Sequence, residues 1–165
     1  MNRRRVVRQA LSDVSIGIGA GQWVALLGAN GSGKSTLLRL LAQIELPDEG
    51  VVEHRAESCA ILTREQAARR TGVVFQTPGL DRLLTVSENL RIQAALYDIS
   101  DTQQRLNDCI EMVGLRERAG DRVGTLSGGL ARRADLARAM LSEPKVLMLD
   151  EPLAGLDVDS RQRFL

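Results

Sequence analysis

Close to the start of this chain a nearly unbroken apolar run, Trp23-Val24-Ala25-Leu26-Leu27, leads directly into Gly28-Ala29-Asn30-Gly31-Ser32-Gly33-Lys34-Ser35. The eight-residue stretch fits G-x-x-x-x-G-K-[ST], a loop that cradles phosphate groups. Glycines let the backbone curl so that successive N–H groups point inward around phosphate oxygens, and a following helix N-terminus adds positive field. Lys34 offers a compact charge to the β- and γ-phosphates, and the Ser35 hydroxyl can sit on Mg²⁺. The preceding run reads as a parallel strand covered on both faces. Leu37, Leu40, Leu41 and Ile44 then repeat at helical spacing and predict one buried helix face. A chain of this length matches the pattern by accident roughly once in a couple of hundred, and the strand–loop–helix context makes accident rarer still.

The remaining elements follow from local signals. Residues 14–18 form a further short apolar run, set off from Trp23 by a turn at Gly19-Ala20-Gly21, and predict a strand. Pro47-Asp48-Glu49-Gly50 reads as a turn. Residues 51–52 and 59–62 are weaker strand candidates, 64–70 a short helix, and Gly72-Val73-Val74-Phe75 a buried strand. His54 lies in a polar surround and reads as a surface residue. Thr85-Val86-Ser87-Glu88 is a capping box opening a helix whose face carries Val86, Leu90, Ala94 and Tyr97. A second helix from near Ser100 buries Leu106, Cys109, Ile110 and Val113 and stops at Gly114. A third, over 130–141, aligns Leu130, Ala134, Ala137 and Leu141 and ends at Glu143-Pro144. Val146-Leu147-Met148-Leu149 predicts another buried strand. The order strand, helix, strand, helical insertion, strand describes an α/β core interrupted by a helical lobe.

Asp150 and Glu151 stand at the end of that last strand. Open parallel sheets bind ligands beyond the carboxyl ends of their strands, so this end is expected to face the phosphate loop. Asp150 is then the candidate Mg²⁺ ligand, directly or through water, and Glu151 the candidate general base for an attacking water.

Composition narrows the function classes. Net charge is +1 and aromatic residues make up 2% of the 165, so neither a basic footprint nor stacking platforms point to nucleic acid. Arg3, Arg4, Arg5 and Arg8 form the one local basic run and read as a solvated arm. Cys59 and Cys109 lack metal-ligand spacing and read as reduced thiols, Cys109 as a packing residue. Residues 14–33 carry no charge, but six glycines and a central turn make them strand, turn, strand and loop rather than a membrane span. No apolar run follows the arginine-rich start, so no signal peptide is expected and the chain reads as soluble.

Taken with the intervening segments, these sites make the chain resemble an ABC ATPase over essentially its whole length. Thr125-Leu126-Ser127-Gly128-Gly129, followed by Ala131-Arg132-Arg133 and Leu136-Ala137-Arg138-Ala139, is similar to that family's signature motif and helix. Gln76 resembles the Q-loop glutamine. Asp150-Glu151-Pro152 with Ala154-Gly155-Leu156-Asp157 resembles the second phosphate-site strand running into the D-loop. The resemblance implies an α/β P-loop NTPase with a mostly parallel core sheet, a small antiparallel β part and an inserted α-helical lobe. Residues 1–78 and 143–165 would form the catalytic core and 79–142 the helical subdomain. It implies ATP held by Gly28, Ala29, Asn30, Gly31, Ser32, Gly33, Lys34, Ser35 and Thr36, and Mg²⁺ held by Ser35, Gln76 and Asp150. Catalysis would involve Glu151, Gln76 and Lys34. A second ABC ATPase domain would pack head to tail, its bound γ-phosphate meeting Ser127, Gly128 and Gly129, with Asp157 at the shared interface. Transmembrane permease subunits would dock on the helical lobe, placing the protein in the cytoplasm on the inner face of the cell membrane, with no nucleic acid partner.

Residues 80–90 and Leu130-Ala131-Arg132-Arg133 look most like ATPases paired with ABC-2-type export permeases. Alternatives are a soluble ABC ATPase of the translation or DNA-maintenance type and a polypeptide that binds nucleotide without turning it over. With Ser127 only 93 positions after Lys34 there is no room for a chromosome-organising coiled coil, and no cysteine pairs suggest the zinc modules of repair members. The chain departs from the family pattern in three ways. Leu130 stands where glutamine is common, and no aromatic residue precedes Trp23 to stack on adenine. The chain also ends 14 residues after Glu151, in an expected helix over 160–165. The family's switch histidine lies on a later strand onto which His54 does not map, so an incomplete cassette of marginal stability, with an open strand edge beside residues 146–149, is expected.

Overall fold

The structure, a computed structural model, describes residues 9–151. The basic run at 3–8, Asp157 with the rest of the D-loop, and the helix expected over 160–165 lie outside the described residues. The described residues divide between two compact units, 1–52 and 53–165.

In the first unit the prominent element is helix α1, Lys34–Leu41. It follows the glycine loop at the position its spacing requires, and Leu37, Leu40 and Leu41 are half-buried rather than buried. Ile44 falls beyond the helix and is exposed. The turn at 19–22 forms, closed by Gln22 N–H to Gly19 O at 3.3 Å. The two strands expected over 14–18 and 23–27 do not form: these residues lie outside any ladder, and Trp23 is 97% exposed. An apolar run becomes a strand only when a neighbouring backbone takes up its N–H and C=O groups, and no such neighbour forms within this unit.

The second unit holds α2 (Arg64–Arg69), β1 (Thr71–Val74), α3 (Val86–Leu96), α4 (Thr102–Met112), α5 (Gly128–Met140) and β2 (Val146–Leu149). Strands β1 and β2 pair in parallel, Thr71 opposite Val146 and Val74 opposite Leu149. Such a pair needs a long crossover, and the helical segment between them supplies it. The expected strands at 51–52 and 59–62 reduce to one antiparallel bridge, Arg55 to Ile61. The 64–70 helix forms with its own capping box at Thr63 and Gln66. His54 is half-buried. Strand β1 is buried, but β2 is only half-covered, Val146 being 39% and Leu147 40% exposed. Helix α5 packs against β1. A Cβ on Gly72 would meet Ala139 O at 2.6 Å, so the missing side chain is what lets strand and helix backbones approach.

Helices α3, α4 and α5 enclose the core. Val86, Leu90, Leu106, Cys109, Leu115, Ala134, Ala137 and Leu141 are each no more than 1% exposed. Most are the residues whose i, i+3, i+4 spacing predicted the helix faces. The Thr85–Glu88 capping box closes both ways: Glu88 N–H donates to Thr85 Oγ1 at 3.1 Å, and Thr85 N–H to Glu88 Oε2 at 2.8 Å. Its two hydrogen bonds, backbone first, hold the Glu88 carboxyl below the ordinary glutamate range. Gly114 ends α4 at φ 67°. Helix α5 starts two residues earlier than its apolar spacing indicates, because Ser127 caps it, accepting from Leu130 N–H at 3.4 Å. Its C-terminal carbonyls, Leu141 O and Met140 O, accept from Arg105 at 3.0 and 3.1 Å, where a cation also suits the helix dipole.

Candidate functional site

Each unit carries one half of the expected residues. In the first, Gly33 sits at the N-cap of α1 with φ 94°, a conformation that favours glycine, and a Cβ there would meet Ala10 O at 2.6 Å. No side chain caps α1. The N–H groups of its first turn, at Lys34, Ser35 and Thr36, are therefore offered to an anion, with the helix dipole behind them. The loop from Gly28 to Ser32 doubles back, Ser32 N–H donating to Ala29 O at 3.2 Å. Lys34 Nζ reaches across it and donates to Gly28 O at 2.7 Å and Ala29 O at 2.8 Å. These bonds hold the ammonium at the mouth of the loop, where a phosphate oxygen can exchange with a carbonyl for its charge.

In the second unit the parallel pairing of β1 and β2 brings residues from far apart in sequence to one end. Gln76 follows β1 and Asp150 and Glu151 follow β2. Asp150 N–H donates to Val74 O at 2.8 Å, extending the ladder by one step, and Asp150 is 6% exposed. Glu151 turns sharply, with φ 48° in the left-handed region, where a non-glycine residue is strained. Its carboxylate accepts a hydrogen bond from Gln76 Nε2 at 3.0 Å. An exposed carboxylate held by one amide beside a buried aspartate has the elements of a base with a fixed direction. Gln76 and Asp150 are oxygen donors of the hard kind that suits Mg²⁺, as is the Ser35 hydroxyl of the other unit. Among the described residues no group of three or more His, Cys, Asp or Glu could hold a metal by itself.

Ser127, Gly128 and Gly129 form the start of α5, with the Ser127 hydroxyl spent on its own helix. The two glycines leave that N-terminus open at its first turn.

The sequence alone did not single out the groups that tie α5 to this end of the sheet. Arg132, 3% exposed, donates through Nη1 to Phe75 O and through Nη2 to Asp150 O. Asp135, 0% exposed, accepts from Arg138 Nε at 2.8 Å, and Arg138 Nη2 donates to Val73 O at 2.8 Å. Burial pushes the Arg132 guanidinium below its ordinary range, while Asp135, Asp150 and Glu151 draw it back up. The spacing Arg132, Asp135, Arg138 puts all three on one helix face, the single signal available beforehand. Asn89, 7% exposed, was likewise missed: its amide bonds Asp81 N–H, Asp81 O and Thr85 O and braces the loop before α3.

Comparisons with known proteins identify the family of the chain. The family described as ABC transporter matches residues 11–154. The chain is 41% identical over 152 residues to the lipoprotein-releasing system ATP-binding protein LolD of Oleidesulfovibrio alaskensis, covering 88% of this chain and 66% of that protein. It is 42% identical over 161 residues to a sulfate/thiosulfate import ATP-binding protein, CysA 2, of Rhizobium meliloti, covering 94% of this chain and 43% of the relative. It thus spans less than two thirds of the length of these relatives. Among solved structures, the cassette MJ0796 in a dimeric post-hydrolysis state bound to ADP and Pi superposes with a TM-score of 0.81 at 29% identity. That match covers 93% of this chain and 71% of MJ0796.

Proposed function

The chain belongs to the ABC transporter ATP-binding family, and from that premise we propose that it binds and hydrolyses ATP to drive a membrane transporter. The observation that carries the proposal is the Gln76–Glu151 hydrogen bond beside buried Asp150, at the carboxyl ends of two parallel strands. Gly28 through Thr36 wrap the phosphates with backbone N–H groups, and Lys34 leaves its carbonyl partners for the β- and γ-phosphate oxygens. Ser35, Gln76 and Asp150 would hold Mg²⁺, which when bound neutralises the charge between the phosphates. Glu151 accepts the proton of the attacking water, and Gln76 keeps that carboxylate aimed. Residues 1–78 and 143–165 act as the catalytic core and 79–142 as the lobe that meets a permease.

A second ABC domain completes the site, its bound γ-phosphate taken by Ser127, Gly128 and Gly129 of this chain, with Asp157 at the joint. The dimeric neighbour MJ0796 supports such pairing. Transmembrane permease subunits are the other partners, which sets the protein at the inner face of the membrane. No described helix is long and apolar enough to cross it. We infer export from the likeness of residues 80–90 and 130–133 to ABC-2-type ATPases. The relatives' names divide between lipoprotein release and import of sulfate or polyamines and favour neither direction.

Binding and phosphate release measured together on the chain with Mg-ATP test this. At 100 times its Kd, ATP adds about 2.7 kcal/mol of stability, which Lys34→Ala removes. Glu151→Gln keeps binding and lowers turnover about 10²–10⁴-fold. A folded chain that neither binds nor hydrolyses ATP overturns the proposal.

A further inference from the structure

Arg132 belongs to the helix that carries Ser127, Gly128 and Gly129, yet its guanidinium ends at the other half of the second unit. One of the two carbonyls it holds belongs to Phe75, the residue before Gln76, and the other to Asp150, the residue before Glu151. A single planar fork thus grips both points from which the Gln76–Glu151 pair departs. An apolar contact between α5 and the strands would avoid the penalty of desolvating a cation. Here a guanidinium is 3% exposed with its Nε lacking a hydrogen-bond partner among the described residues, as does Asp135 Oδ2 one turn on. Such a group is hard to displace in part: its position follows the helix, and the two carbonyls follow it.

We propose that Arg132 is a positioning residue for hydrolysis, fixing the Gln76–Glu151 geometry and transmitting to it any displacement of the α5 N-terminus. This rests on the function proposed above and adds a route by which an anion engaged at Ser127, Gly128 and Gly129 is felt by the base. Asp135 and Arg138 secure the route, holding α5 against Val73, two residues before Phe75.

The test uses Arg132→Gln and Arg132→Lys, the latter retaining charge but, as a point donor, unable to bridge both carbonyls with fixed geometry. Arg116→Gln, at an exposed ion pair with Glu111, is the control. Turnover is measured at saturating Mg-ATP well below each variant's Tm, alongside nucleotide Kd. The Gln76 side-chain amide is followed by NMR and assigned with Gln76→Ala. Arg132→Gln should lower kcat by up to about 100-fold with Kd changed little. Arg132→Lys should fall between it and the parent, and both should shift the Gln76 resonance while Arg116→Gln does not. Parental kcat and an unmoved Gln76 resonance, with only a lowered Tm, would reduce Arg132 to a structural contact and overturn the proposal. A parent chain that fails to hydrolyse ATP overturns the function proposed above. In that case the Gln76 resonance still decides whether Arg132 holds the pair.

Discussion

Asp135→Ala removes a carboxylate that is 0% exposed and is flanked on its helix, at i−3 and i+3, by Arg132 and Arg138. Arg138 loses its 2.8 Å partner, and Arg132 loses a neighbouring negative charge in a place where it is 3% exposed. Stripping one partner from a buried ion pair costs about 3–5 kcal/mol, because the surviving charge stays desolvated. Arg138 keeps 19% of its side chain in water, which favours the lower end of that range. For a chain of this size about 3 kcal/mol corresponds to a fall in Tm of roughly 6–12 °C. Thermal melts followed by circular dichroism read this directly. The loss should persist in high salt, since buried pairs are screened far less than exposed ones such as Arg116–Glu111. Paired substitutions complete the argument: in a double-mutant cycle, Asp135→Leu with Arg138→Leu should cost less than the sum of the single changes. A drop of under about 2 °C for Asp135→Ala, or strict additivity in the cycle, would refute the idea that α5 is held by buried charge.

Two further outcomes follow from groups whose ionisation the fold perturbs. The folded pKa of Glu88 is depressed, first by the Thr85 N–H and then by its hydroxyl. Its contribution is therefore present above the unfolded value near ~4.3 and is lost as pH falls through the lower folded value. The Tm difference between the parent and Glu88→Gln should narrow on acidification across that window, and a constant difference would contradict the capping role. Cys109 is buried, and burial pushes its thiol up, partly opposed by Arg105, whereas Cys59 is exposed. The Cys109 contribution is present below the unfolded value near ~8.5 and lost as pH rises through the higher folded one. Iodoacetamide at pH 8 should label Cys59 alone in the native chain and both after denaturation. Rapid double labelling of native protein would show that the three-helix core opens freely.

Much of the molecule is legible because its signals are local. The glycine loop is a run of eight residues, and the Thr85–Glu88 box needs only a hydroxyl and a carboxylate three positions apart. Gly114 stops α4 because one residue must turn left-handed there, and the buried faces of α3, α4 and α5 recur every third or fourth residue. Each was readable from within a single turn. Glu151 was singled out by its place at the end of an apolar run and Gln76 by its likeness to the family's Q-loop glutamine. Their meeting, 75 residues apart, came from the parallel register of β1 and β2. Residues 14–18 and 23–27 show the limit from the other side: their apolar pattern is that of strands, but a ladder requires another backbone and an apolar run does not name it. Arg132 and Arg138 show it most clearly, because their partners are main-chain carbonyls 57, 18 and 65 positions away. Every residue carries such a carbonyl, so composition and spacing cannot mark the ones that matter. Sequence by itself determined which segments of the second unit are helices and which of their faces are buried, since neighbours along the chain decide those. Only the tertiary structure decided which anonymous backbone oxygens the buried guanidinium groups would hold, since distant segments must first be packed before those oxygens lie within reach.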